Sequence, residues 1–439
     1  MKGEGKLLNT MKWALIALAF VPLFVDNMVF FPAASAKVLA IRLVVALVSV
    51  LFFALLVQST SFGEMISGRL HTLKKNRLFL AVIAYFFAYC ISAIFAANSF
   101  WAFWGNPGRG SGVIGMIFFT AFFLFAALLF DKKEYSWFYK STLLVSLLFF
   151  VHISIQLTEG IKRPSSFTGN PIYLAAFFLF SLLAAGLVFF GERSRRSGWA
   201  IVSIVAAAAS VIGIFMTESR GVILGLAAGC LAACAYAFIR GKGVMLGEYS
   251  LKKIAAWILG FVLVFGGIFI STRHATFWQH VPGLGRFTAL STDATTNSRL
   301  IADGISLSAM NPATVGIKRF IFGWGPDNYL VAFYAHIDPK LFFLDAGAFD
   351  RAHNQVFDVL VMNGLLGLLA YALMWFFVLT YIFSRKAFSA ERLFLAFFTA
   401  AYFVQDLSAF DNPTTYIPFF LFLACAVSLA DDQQPYETK

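Results

Sequence analysis

A histidine and a few arginines are the residues of this chain whose type and place suit chemistry. His353 opens the stretch 351–367, RAHNQVFDVLVMNGLLG, where a long polar segment gives way to an apolar one. An imidazole at a boundary between water and lipid takes or releases a proton near neutral pH, which makes His353 the candidate general base. A plain anchoring contact at the headgroups is the alternative for a histidine placed there. Three arginines are candidate ligands for a pyrophosphate. Arg220 lies in Thr217-Glu218-Ser219-Arg220-Gly221, Arg299 in Asn297-Ser298-Arg299-Leu300, and Arg109 in the glycine-rich Gly105-Asn106-Pro107-Gly108-Arg109-Gly110. A guanidinium offers a planar fork to two phosphate oxygens and never loses its charge. The alternative for each is a snorkelling contact with ordinary lipid headgroups. Lys162 and Arg163, ahead of Ser165-Ser166-Phe167-Thr168-Gly169-Asn170-Pro171, read as headgroup contacts.

The elements that must position these residues are membrane helices. Of 439 residues, 60% are hydrophobic and 13% charged, and the mean hydropathy is +0.79. Soluble domains do not have this composition, and it predicts an all-α polytopic membrane protein. Twelve spans are expected, near 12–32, 37–58, 78–97, 113–130, 137–157, 172–191, 199–217, 222–239, 254–271, 365–383, 392–410 and 413–430. The first reads as a retained helix, because no cleavage site follows it. The apolar run 357–383 exceeds one span of ~20 residues, and Asn363-Gly364 is its natural break. A short helix along the membrane surface should therefore precede a spanning helix that starts near Leu365. Asn354 and Gly364 are the supporting residues of this junction.

The connecting loops alternate in charge, with 20 Lys and Arg on one side and 6 in the short loops of the other. By the positive-inside rule the first side, with both termini, is cytoplasmic. The net charge of +12 thus reports topology and not nucleic-acid binding. Three regions follow: 1–271 with spans one to nine, 272–363 as an external lid with short helices near 297–310 and 355–362, and 364–439 with the last three spans and a cytoplasmic tail.

Other chemistry finds little support. The four cysteines, Cys90, Cys230, Cys234 and Cys425, all fall in apolar spans. His71 reads as cytoplasmic, His152 as a satisfied core residue within a span, and His274, His280 and His336 lie in the outer loop without a readable partner. The outer aspartates, Asp293, Asp303, Asp327, Asp338, Asp345, Asp350 and Asp411, form no pair at metal-ligand spacing, so neither a metal nor a cofactor is expected. Asp26 and Asp406 fall within spans, near their outer ends, where a structural hydrogen bond and a functional role are both open. No phosphate-binding loop, dinucleotide fingerprint or G-x-S-x-G motif occurs.

His353-Asn354, followed after nine residues by Gly364-Leu365-Leu366-Gly367, resembles the His-[Asn/Ser/Gln]-x9-Gly-x-x-[Gly/Thr/Tyr] signature of O-antigen ligases. Ser219-Arg220-Gly221 resembles that family's outer arginine turn and Asn297-Ser298-Arg299 its loop arginine. Phe322-Gly323-Trp324-Gly325-Pro326-Asp327-Asn328-Tyr329 resembles the Gly-x-Gly segment upstream of the histidine. The resemblance implies a GT-C-like fold in a Gram-negative inner membrane, with the long loop in the periplasm. It implies a metal-independent, inverting glycosyltransferase of lipopolysaccharide biosynthesis. The donor would be a polysaccharide on undecaprenyl pyrophosphate and the acceptor a sugar hydroxyl of lipid A–core. O-antigen polymerases and protein O-oligosaccharyltransferases share these motifs. The latter usually carry a C-terminal extension, and a chain that stops soon after span twelve favours ligase or polymerase. A transporter or flippase is the alternative from another class, but no repeated halves support it.

Overall fold

The computed structural model describes residues 2–106, 108–192, 194–288, 293–344 and 347–431. Arg193 and Lys439, counted above on the basic side, and Asp345 and Pro107 lie outside them. Helices dominate: α1 Lys2–Ala17, α2 Ser35–Gln58, α3 Thr60–Leu73, α4 Arg77–Ile94, α5 Ser99–Trp104 and α6 Val113–Leu129 come first. Then follow α7 Lys132–Thr158, α8 Pro171–Gly191, α9 Gly198–Met216, α10 Arg220–Arg240, α11 Leu251–Thr272 and α12 Thr276–Gln279. The last are α13 Ala294–Ser308, α14 Pro312–Phe322, α15 Tyr329–Ala335, α16 Gln355–Phe383, α17 Ala390–Asp406 and α18 Pro413–Asp431. The chain is an all-α polytopic membrane protein. Every expected span falls on a helix. Among the described residues nine helices are long and apolar enough to cross a membrane, with Val113–Leu129 and Pro413–Leu429 as shorter apolar helices. The expected eleventh span, 392–410, falls on α17, which carries Glu391, Arg392 and Asp406.

Two boundaries differ from expectation. The first span runs Gly3–Leu23 instead of 12–32. Its polar start stays helical where Lys12 reaches Asp131 at 3.4 Å and Glu134 at 3.2 Å. Beyond Pro22 the chain turns extended at Phe24. Asp26 therefore sits in a loop, where its carboxylate accepts the Met28 N–H at 2.9 Å, and not in a span. The second difference is α3, an amphipathic helix absent from the expected spans, whose N-cap Ser59 accepts from Phe62 N.

The loops gather into two sets, one at each end of the bundle, and these are the sets that the charge alternation defines. At one end Ala97 N donates to Trp324 O at 2.8 Å, Asn106 N to Asp327 at 2.8 Å, Arg286 to Glu218 O at 3.1 Å, and Arg299 to Ser408 O at 3.0 Å. At the other end Arg69 pairs with Asp131 and Asn76 donates to Val427 O.

The long loop between α11 and α16 has its own core. Ile305, Met310, Tyr329, Phe333 and Leu341 pack with Val361 and Met362 of α16, so the loop is a docked cap. α16 breaks where expected. Gly364 has φ 66° and ψ −170° inside the helix, a left-handed backbone that glycine adopts without steric cost. The break frees carbonyls that the cap then uses: Trp324 N donates to Val361 O and Gly325 N to Met362 O, both at 2.8 Å. Ser92 Oγ also donates to Met362 O, at 2.7 Å. The approach leaves no room for a side chain, since a Cβ on Gly364 would lie 2.2 Å from Ile321 O and one on Gly323 2.4 Å from Met362 O. The spacing of these glycines thus follows from one backbone contact between cap and helix.

Candidate functional site

His353 stands immediately before α16. Asn354 is the N-cap of that helix, its side chain accepting from Val356 N at 3.1 Å, which fixes the chain direction at the histidine. His353 itself has φ 56°, uncommon for a side chain of this size. Among the described residues the other non-glycine positive φ values belong to Ser166, Glu218 and Asp327. All four lie in the loops at the capped end, and strained backbone of this kind clusters where a site must be held in shape. The imidazole lies between Phe349 and Phe410, with ring centroids 5.0 and 5.1 Å away. His353 Nδ1 is 3.1 Å from Arg351 O. A carbonyl only accepts, so Nδ1 carries the proton and Nε2 keeps its lone pair. Burial, with the charge of Arg299 second, holds the His353 pKa down at about 4. The ring is therefore uncharged at neutral pH.

Arg351, buried behind the histidine, sets this geometry. Its Nε donates to Asp358 Oδ2 at 2.7 Å and its Nη1 to Ser111 Oγ at 3.2 Å, with Asp327 Oδ1 at 3.5 Å. Asp358 Oδ1 also accepts from Ala352 N at 3.1 Å. The side chains of Arg351 and Asp358 are 3% and 0% exposed, so neither has water to fall back on. Asp358→Ala takes the closer carboxylate from a buried guanidinium and leaves it only Asp327 at 3.5 Å, and breaking a buried pair costs up to about 3–5 kcal/mol. We expect a clear fall in the thermal unfolding midpoint of the detergent-solubilised protein, recovered only in part by the double variant Arg351→Met/Asp358→Leu, where the buried Asp327 keeps Ser111 and Asn106 N but loses Arg351. An unchanged midpoint in Asp358→Ala contradicts this.

A cluster of four arginines lies on the other side of the site. Arg220, the first residue of α10, bonds Asp293 Oδ2 through Nη2 at 2.6 Å and Arg286 O through Nη1 at 3.2 Å. Arg286 Nη1 returns to Glu218 O at 3.1 Å. Arg299 on α13 donates through Nη1 to Ser408 O, tying the cap to the turn between α17 and α18. Burial, followed by the charges of Arg220, Arg286 and Arg163, lowers the Arg299 pKa to about 10. Three carboxylates, Asp293, Glu218 and Asp303, act within the cluster, which leaves an excess of positive charge. Asp303 is pushed up to about 6 by burial. Arg163 Nε is buried with no hydrogen-bond partner among the described residues. Guanidinium N–H groups left over after these bonds suit an anion with several oxygens.

Of the residues singled out from sequence, His353, Arg220 and Arg299 come together, with Asn354 and Gly364 shaping the junction. Arg109 is engaged elsewhere. Its Nε and Nη2 hold both oxygens of Asp350, at 2.9 and 3.1 Å, and its Nη1 meets Tyr173 Oη at 2.7 Å. It lies 4.7 Å over the Phe410 ring, so it buttresses the wall of the histidine pocket. Arg163, expected as a headgroup contact, lies beside the cluster, where its charge acts on Arg286 and Arg299. Two participants escaped the reading of the sequence. Arg286 could have been found by the rule that picked Arg220, as another arginine against the charge trend. Asp358 could have been found as an acid in an otherwise apolar run. His152, expected as a satisfied core residue, has Ser166 Oγ as its partner at 2.8 Å.

The described residues hold no group of three or more His, Cys, Asp and Glu side chains arranged to bind a metal ion. Fold and site together define a multi-pass membrane protein with a cluster of arginines and a neutral histidine beneath its own cap. Residues 205–372 match the family model of O-antigen ligase. This stretch of the chain is thus similar to the O-antigen ligases. The matched stretch runs from α9 past the break in α16 and contains Arg220, Arg286, Arg299, Arg351, His353 and Gly364. No curated protein sequence matches this chain.

Proposed function

We propose that this chain transfers O-antigen polysaccharide from undecaprenyl pyrophosphate to a sugar hydroxyl of lipid A–core. The observation that carries this reading is the meeting of four arginines with an uncharged histidine beneath one cap. In a single displacement the acceptor oxygen attacks the anomeric carbon, the bond from that carbon to the pyrophosphate oxygen breaks, and configuration inverts. His353 Nε2 takes the hydroxyl proton. Arg220 and Arg299, helped by Arg286 and Arg163, hold the pyrophosphate and stabilise the charge that grows on it. Four cations supply the role that a divalent metal often fills, so the reaction runs without one. Both substrates carry lipid tails, which is why a sugar transferase is built from membrane helices. The chain then sits in the inner membrane of a Gram-negative bacterium, with both termini cytoplasmic. The cap, 272–363, lies in the periplasm between membrane parts 1–271 and 364–439.

A base with a pKa near 4 is weak, and the donor corrects this. Part of the depression comes from Arg299. A bound pyrophosphate neutralises that charge and raises the basicity of His353 when the donor is in place. The sign is testable. A lowered histidine pKa keeps the free base present to lower pH. The acid limb of kcat/KM, which reports the free enzyme, should therefore fall near the His353 pKa of about 4. The limb of kcat, which reports the complex, should lie at higher pH. A kcat/KM limb at the ordinary histidine value of ~6.5 contradicts the pocket described here.

The reading itself is tested with purified protein, a defined undecaprenyl pyrophosphate donor and EDTA. Joining of the glycan to lipid A–core is expected. Extension of a second undecaprenyl-linked glycan instead makes the chain a polymerase. Loss of transfer in EDTA, restored by Mg²⁺, overturns the metal-free mechanism.

A further inference from the structure

α13 docks within the cap through one face. Ala302, Ile305 and Ser306 are buried, and Ser306 Oγ meets Tyr329 Oη at 2.8 Å. Arg299 and Asp303 stand four residues apart on a neighbouring face. Arg299 shows where that face looks, because its Nη1 donates to Ser408 O at 3.0 Å, in the turn between α17 and α18. The stripe of Arg299 and Asp303 therefore borders the cleft between the cap and the membrane helices.

Asp303 lacks a structural role there. Its Oδ1 is buried with no hydrogen-bond partner among the described residues. Burial pushes the carboxyl up to about 6 against the charge of Arg299, so it is ionised at neutral pH and can only accept hydrogen bonds. A buried acceptor without a donor costs stability. The side chain as a whole is half-buried, which keeps it within reach of a ligand. The neighbours restrict what that ligand can be. A cation is repelled by Arg299 and by the other arginines that act on it, Arg220, Arg286 and Arg163. An anion is repelled by the carboxylate itself. Neutral O–H groups satisfy it, and its two oxygens can accept from two hydroxyls on adjacent carbons of a sugar ring. Position agrees with chemistry. At 1.5 Å per residue Asp303 lies ~6 Å along α13 from Arg299, and a pyrophosphate held by Arg299 would carry its first sugar at about this remove.

We propose that the Asp303 carboxylate binds hydroxyl groups of the sugar attached directly to the donor's pyrophosphate, a proposal that rests on the transferase reading above. Asp303 then sorts donors by their first sugar, whereas the arginines hold whatever carries the pyrophosphate. Its buried oxygen finds its donors only when that sugar is in place.

The test measures equilibrium binding to the full chain in nanodiscs, without acceptor, for two ligands: undecaprenyl pyrophosphate and the same lipid bearing one hexose. Asp303→Ala should weaken the Kd of the hexose-bearing lipid on the order of tenfold, as for loss of a hydrogen bond to a charged group, and should not weaken that of the bare lipid. Asp303→Asn, which keeps one acceptor oxygen, should recover part of the loss. Removing one hydroxyl at a time from the hexose should weaken wild-type binding at the positions the carboxylate takes, with no further loss there in Asp303→Ala. The unfolding temperature should stay at the wild-type value, since the Asp303 Oδ1 has no protein partner to lose. An equal change for both lipids means that the carboxylate acts only on the charge of Arg299, and overturns the proposal. Unchanged Kd values with a raised KM for lipid A–core move Asp303 to the acceptor and also overturn it. If the wild type transfers no glycan while the hexose-dependent loss holds, the transferase reading fails and the sugar site stands.

Discussion

Replacing His353 with alanine lowers the rate of glycan transfer on the order of 10²- to 10⁴-fold, the range that a positioned proton acceptor supplies. The protein itself should remain folded. The imidazole makes one hydrogen bond, to Arg351 O, and edge contacts with Phe349 and Phe410. The buried Arg351–Asp358 pair and the Asn354 cap do not depend on it. Alanine also relieves nothing of the left-handed backbone at 353, so the junction keeps its shape. The pyrophosphate is a good leaving group, which reduces the help a base must give and places the lower end of that range within the account. His353→Ala at near wild-type turnover, in protein that unfolds at the wild-type temperature, removes the general-base role.

Loss of Arg220 or Arg299 should cost ~30- to 1000-fold in rate, the effect of removing a charge-assisted contact to the leaving group in the transition state. Lysine should restore only part of it. Each arginine spends some of its N–H groups on the protein: Arg220 on Asp293 and Arg286 O, Arg299 on Ser408 O. The remaining N–H groups are available to the donor. An ammonium, a compact point charge with three donors, cannot make the same structural bonds and also fork onto two oxygens. A residue that merely snorkels predicts otherwise, because lysine snorkels as well as arginine. The comparison is therefore the rate of each Arg→Lys variant against its Arg→Ala partner. Full activity in both lysine variants leaves the headgroup contact as the better reading. Arg286→Ala belongs in the same series, since Arg286 holds the Glu218 turn on which Arg220 stands.

Much of this architecture was legible in the sequence, because lipid leaves few choices. A long apolar run must be helical to satisfy its own backbone, and each expected span fell on a helix. Boundaries were less legible, since tertiary partners decide them. The polar residues before Lys12 stay helical because Asp131 and Glu134 await the lysine. The break at Gly364 was readable from length and glycine alone. Its purpose was not, because the partner backbone, Gly323 to Gly325, lies some forty residues earlier in the chain. The outward arginines were found because they defy a charge rule. That rule does not separate an arginine of the cluster from one that buttresses the histidine: Arg109 forks onto Asp350, whereas Arg220, itself paired with Asp293, stands in the cluster. The pairing of Arg351 with Asp358 joins a loop residue to a carboxylate seven positions on, across a helix start. Neither periodicity nor motif announces such a contact.

The central claim is that arginines hold the donor while His353 acts on the acceptor, and equilibrium binding separates the two most directly. The measurement is the Kd of an undecaprenyl pyrophosphate donor, without acceptor, for the wild type, His353→Ala, Arg220→Ala and Arg299→Ala in nanodiscs. The account predicts wild-type affinity for His353→Ala and affinity weakened roughly 10- to 150-fold in each arginine variant, as for loss of a hydrogen bond to a charged group. Equal affinity in all four proteins, or a loss in His353→Ala as large as in the arginine variants, contradicts it.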